Sequence, residues 1–123
     1  MSSLVLTVAC LCAQWCGTCR DYRAVFEQLQ AAAPEHRYRW IDIEDEAALV
    51  GDVDVETFPT LLVACEGRVL FAGPVLPRLN DAVRLLQSQA EMLALSTDAQ
   101  GLAGMPWDQA HAFETLARAL AAR

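Results

Sequence analysis

The chain has 123 residues, 54% of them apolar, enough for one domain with its own core and too apolar for a disordered segment. Its formal charge of −7 argues against nucleic acid and anionic membrane surfaces as partners. All nine basic residues are arginines, and the lack of any lysine excludes Schiff-base and lysine-base chemistry.

Residues 4–12 are rich in Leu, Val and Thr and predict a fully buried strand. The apolar run 4–13 lacks the positive leader of a signal peptide and is too short to span a bilayer. A cytoplasmic protein without membrane association is expected. Residues 17–33 predict a helix, with Tyr22, Val25, Phe26 and Leu29 on one face and Pro34 as its stop. Residues 38–43 predict a second strand, and residues 45–50 a short helix closed by Gly51.

Residues 60–65 and 68–72 predict a hairpin turning at Glu66-Gly67. Residues 79–95 predict a helix carrying Ala82, Val83, Leu86, Ala90 and Leu93 on one side. After a polar break at 96–104, Pro106 opens a last helix with Phe113, Leu116, Ala117 and Leu120 as its stripe. The order β-α-β-α-β-β-α plus one helix predicts an α/β domain over residues 1–95. Residues 96–123 are expected to form a helical extension packed on that same domain. Strands joined by a helix favour a parallel pair, and the hairpin adds antiparallel strands.

Five cysteines are many for this length, and four fall between positions 10 and 19. A disulfide framework would spread them, so clustering points to redox chemistry or metal binding. Trp15-Cys16-Gly17-Thr18-Cys19 sits where a strand hands over to a helix. At a helix N-terminus, free N–H groups and the helix dipole stabilise a thiolate at Cys16. Cys19 lies one turn on, within reach to release a mixed disulfide. Cys16 is therefore the expected attacking thiol and Cys19 the resolving thiol.

The stretch A-Q-W-C-G-T-C-R, followed downstream by F-P-T-L-L-V and Gly67, resembles the thioredoxin family over roughly residues 3–88. The resemblance implies a thioredoxin-like fold: a central mixed sheet flanked by helices, without the family's N-terminal strand and helix and with an extra C-terminal helix. It implies a thiol–disulfide oxidoreductase acting on protein disulfides, supplied by a separate reductant, with no cofactor and no metal, as a monomer or weak dimer. Pro59 is then a cis-proline facing the cysteine pair. Phe58 offers its backbone to an extended substrate, and Trp15 is an apolar wall beside the motif. Gly17 and Thr18 complete the substrate-facing surface. Simple core packing is the competing reading of Trp15 and Phe58.

The pattern departs from the family at one place. The position of the family's buried aspartate, which helps move the resolving thiol's proton, is Cys10 here, and that of its lysine partner is Trp40. Losing both together is consistent, because a lone buried charge is expensive. Water or a nearby acid then has to take the Cys19 proton, with Asp42 the first candidate. Cys10 and Cys12 share one strand face, read as core residues lying away from Cys16, and Cys65 as an incidental thiol. Two alternatives stand beside the oxidoreductase: a thiolate metal site of Cys10, Cys12, Cys16 and Cys19, and a redox-inert interaction module. The acidic run 42–56 is expected to be a solvated face, and His36 and His111 to be isolated.

Overall fold

The structure is a computed structural model that describes residues 5–13, 15–55, 57–95 and 105–122, with side chains of the helix beginning at Leu79 as far as Glu91. Its elements are β1 (Thr7–Cys12), α1 (Gly17–Ala32), β2 (Arg37–Asp42), α2 (Ala47–Val50), β3 (Thr60–Cys65), β4 (Arg68–Pro74), α3 (Leu79–Leu95) and α4 (Trp107–Ala121). The expected Leu93 contact and the break at 96–104 lie outside what is described.

Boundaries shift where hydrogen bonding overrides pattern. β2 runs one residue earlier than its apolar alternation suggests. Arg37 donates its N–H to Leu6 O at 2.8 Å and stands opposite Thr7 in the ladder. The strand stops at Asp42, whose carboxylate accepts the N–H groups of Glu44 and Asp45 at 2.9 and 3.1 Å and turns the chain away. β4 continues two residues past Ala72 because Gly73 and Pro74 still pair with Leu61 and Thr60.

The sheet order is β2-β1-β3-β4. β1 and β2 are parallel across the α1 crossover, and β1–β3 and β3–β4 are antiparallel. This is the mixed sheet expected from the element order. The β3–β4 hairpin closes through Glu66 and Gly67, both at positive φ (54° and 81°), as a tight two-residue turn requires. A Cβ on Gly67 would meet the Arg118 backbone at 3.6 Å, so the turn also lets α4 approach.

Both faces of the sheet are covered. Val8, Cys10, Cys12, Leu61 and Val63 pack against Tyr22, Phe26 and Leu29 of α1 and Leu86 of α3. Ala9, Leu11, Ile41 and Leu62 pack against Phe113, Leu116 and Leu120 of α4 and Val50 of α2. Phe26 also meets the rings of Tyr38 and Trp40 edge-on, each at 5.7 Å. Covering both faces explains why β1 is continuously apolar. α4 touches β4, β3 and α2.

The fully buried Leu116 tests whether α4 is part of the cooperative unit. Leu116→Ala should cost about 2–5 kcal/mol, as core truncations do. Urea unfolding should show this in one transition. An unchanged midpoint would mean that the sheet folds without α4.

Candidate active site

The site forms at the end of β1. After Cys12 the chain turns, and the Cys16 N–H donates to Ala13 O at 3.0 Å. Cys16 is the N-cap of α1, with extended backbone (φ −87°, ψ 121°) and no side-chain cap. Its carbonyl accepts the Arg20 N–H at 3.2 Å and starts the helix. Cys16 is half-buried, Gly17 and Thr18 are exposed, and Cys19 is buried at 1% exposure.

The two thiols are pulled in opposite directions. Cys16 is held below the ordinary thiol range. The Cys19 N–H contributes most, followed by the Cys19 thiol and the backbone and hydroxyl of Thr18. The two backbone N–H groups are unpaired donors of the first helical turn, and together with the side chains they outweigh the opposing effect of desolvation. Burial pushes Cys19 up, and its hydrogen bond with Cys12 adds to this. One sulfur is thus disposed to be a thiolate at the surface, and its neighbour to stay protonated beneath.

Trp15 is 65% exposed, so it is not a core aromatic. Its ring meets Phe58 edge-on at 5.5 Å, forming an apolar shelf beside Cys16. The Phe58–Pro59 peptide is cis. Pro59 is buried, its carbonyl accepts the Val75 N–H at 3.1 Å, and the Thr60 hydroxyl donates to Thr57 O at 2.7 Å. These bonds fix the loop that carries Phe58.

Cys10 and Cys12 need correcting against the sequence reading, which put their face away from the motif. That face is the one α1 covers. Cys12 hydrogen-bonds Cys19, and Cys10 Sγ lies 3.4 Å from Cys12 Sγ. Contacts run in file from Cys10 to Cys12 to Cys19 to Cys16. Among the described residues, no group of three or more His, Cys, Asp or Glu side chains is placed to hold a metal ion. Cys12 is the residue that sequence reasoning missed. Its shared parity with Cys10 was visible, but nothing in the pattern said which face α1 would cover.

Cys10 stands opposite Trp40 in the β1–β2 ladder. The Arg23 guanidinium lies over the Trp40 ring, 4.8 Å from its centroid. Beside them a cavity of about 400 Å³ is lined by Cys12, Cys19, Arg20, Arg23, Asp42 and Asp45, among others. It joins the buried Cys19 to acidic side chains. The remaining residues have other tasks. Within the acidic run, Glu46 pairs with Arg39. His36 Nδ1 accepts the Leu6 N–H at 3.1 Å, and His111 stacks on Trp107 at 5.6 Å. Cys65 is half-buried, with its thiol raised by burial.

A family model described as Thioredoxin matches residues 3–98. A Streptomyces coelicolor protein assigned as thioredoxin 2 is 31% identical over 62 residues, 50% of this chain and 46% of that protein, so the match spans under half of that relative. Fasciola hepatica thioredoxin superposes with a TM-score of 0.63 at 21% identity, covering 71% of this chain and 83% of that one. A mutant thioredoxin from Halobacterium salinarum gives 0.60 at 26% identity, covering 69% and 74%. These likenesses show the thioredoxin-like fold.

Alkylation reads the thiol environments directly. In the reduced protein, iodoacetamide should modify Cys16 with a pH midpoint below the ordinary thiol value of about 8.5, because a lowered pKa keeps the thiolate populated at lower pH. Cys12 and Cys19 should stay unmodified through that range. A Cys16 midpoint at or above the ordinary value would show that the helix start does not stabilise the thiolate.

Proposed function

The chain belongs to the thioredoxin family, and from that we propose that it is a thiol–disulfide oxidoreductase whose Cys16–Cys19 pair exchanges with disulfides in protein substrates. The observation that carries this reading is the split between an exposed-side thiol lowered by the helix start and a buried thiol raised by burial. The Cys16 thiolate attacks one sulfur of the substrate disulfide and forms a mixed disulfide. Cys19 then loses its proton and attacks Cys16 Sγ. The substrate leaves as a thiolate and the Cys16–Cys19 disulfide remains. A separate reductant restores the dithiol, and no cofactor takes part.

The substrate meets the shelf of Trp15 and Phe58 and the exposed Gly17 and Thr18, with its extended backbone along Phe58 and Pro59. Their position around Cys16 supports this. The protein acts as a reductant in the cytoplasm, as a monomer or weak dimer; its clustered cysteines are unlike a secreted framework. Among the described residues, no helix is long and apolar enough to cross a membrane. A metal-binding protein and a redox-inert module are not favoured.

Asp42 receives the Cys19 proton through the cavity that both residues line. It takes the place of the carboxylate that Cys10 does not supply.

Insulin reduction tests the roles. Cys16→Ser should abolish turnover, and Cys19→Ser should accumulate mixed disulfides with substrate. Capture by Cys16→Ser and not by Cys19→Ser would reverse the assignment. Asp42→Asn keeps an oxygen acceptor for the turn amides while removing the base. It should slow decay of the mixed disulfide at pH 7 by about tenfold or more, a modest general-base contribution. That decay should speed up with pH. An unchanged single-turnover rate would place the proton acceptor elsewhere.

A further inference from the structure

Below the proposed catalytic pair lie two more thiols that its mechanism leaves unused. Cys10 is fully buried and Cys12 is 1% exposed. Cys12 and Cys19 belong to one buried cluster, against which Cys16 packs, and both line the same cavity. The Cys19 thiol interacts with both neighbours. Cys12 also lines the cavity that opens on Asp42 and Asp45. The Tyr22 hydroxyl, buried in the same cluster, has no hydrogen-bond partner among the described residues. It is a spare donor near the sulfurs.

We propose that Cys12 is a third redox-active cysteine, which takes Cys19 into a second, buried disulfide and sets Cys16 free. This rests on the oxidoreductase reading, because it starts from the Cys16–Cys19 disulfide. Cys12 releases its proton into the cavity, and its sulfur attacks Cys19 Sγ. The Cys12–Cys19 bond forms as the Cys16–Cys19 bond breaks, and the electron pair of the broken bond leaves on Cys16. No electrons enter or leave the protein, so no oxidant or reductant is needed. The product places its thiolate on the sulfur with the helix-start donors and its disulfide on two sulfurs that resist ionising, Cys12 through its hydrogen bond with Cys10 and then burial, Cys19 through burial. Exchange runs towards the more acidic leaving thiol, so the direction is inward.

Cys10 does not complete a further step of this kind. It and Cys12 are alternate residues of one strand held in ladders on both sides. Their α-carbons are about 7 Å apart by strand rise, at the limit for a disulfide without backbone movement. The result is an oxidised protein in two forms. One has its disulfide at the surface. The other has it buried and shows a free Cys16 thiolate beside the Trp15–Phe58 shelf, able to form a mixed disulfide while the core stays oxidised.

Iodoacetamide labelling of the oxidised full chain distinguishes the two forms. In a Cys65→Ala background, the protein is oxidised with one equivalent of diamide, desalted, incubated at pH 7, 8 and 9, and labelled under native conditions. Reduction, blocking with N-ethylmaleimide and fragment mass spectrometry then locate the label. The inference expects label on Cys16, appearing about tenfold faster per pH unit because the attacking species is the Cys12 thiolate. It expects none in Cys12→Ala or Cys12→Val, each checked for native circular dichroism. An oxidised parent without Cys16 label, equal labelling in the Cys12 variants, or a Cys10–Cys12 disulfide would overturn it. Retained insulin reduction in the same preparation would confine that failure to this inference. Loss of insulin reduction as well would overturn the oxidoreductase reading with it.

Discussion

Strand β1 is hydrogen-bonded along both edges, in parallel to β2 and antiparallel to β3, and buried on both faces. A strand held this way cannot slip or twist independently of the sheet. Its last residue, Cys12, is therefore a fixed point from which the turn and α1 are launched. Cys16 stands at the first turn of α1 because the link from Ala13 is short and closed by its own backbone bond. The apolar stripe of α1, Tyr22, Phe26 and Leu29, pins the helix against the sheet and α3. The position of Cys16 is set by that packing.

The same packing sets the electrostatics. Thr60 is the only polar or charged residue in the buried set among the described residues. A core this apolar gives the deeper sulfurs no reward for ionising, while the surface sulfur finds donors at the helix start. Depth thus separates a sulfur disposed to ionise from one disposed to stay protonated, in a chain with no lysine. Cys10 and Trp40, partners in the β1–β2 ladder, place no charge at this position and carry no desolvation cost for one. Asp42 ends β2 through its turn bonds and lines the cavity that Cys19 also lines.

The outer layer shows how the hairpin and the last helix depend on one another. The positive-φ turn at Glu66 and Gly67 is tight enough for α4 to lie over it, with Arg118 and Ala121 against Gly67. α4 then covers the face opposite the site, where Phe113, Leu116 and Leu120 complete the second core. With α4 on that face, the candidate site lies on the other side, where the Trp15 ring meets Phe58 beside Cys16.

Much of this was legible in the residues. The apolar run of β1, the helical spacing of Tyr22, Phe26 and Leu29, the turn at Glu66-Gly67 and the stripe of α4 each follow from local periodicity and turn chemistry. The spacing of Cys16 and Cys19 at a strand-to-helix junction already carried their unequal environments. The edges of β2 and β4 did not show, because ladder bonds to Thr7 and Leu61 settle them and not side-chain pattern. The face chosen by Cys10 and Cys12 did not show either. Alternation marks a face only when one side is polar, and β1 is apolar on both. The sequence by itself determined that two cysteines share a side of β1. Only the docking of α1 onto that side, driven by burial of its apolar stripe, decided that Cys12 meets Cys19.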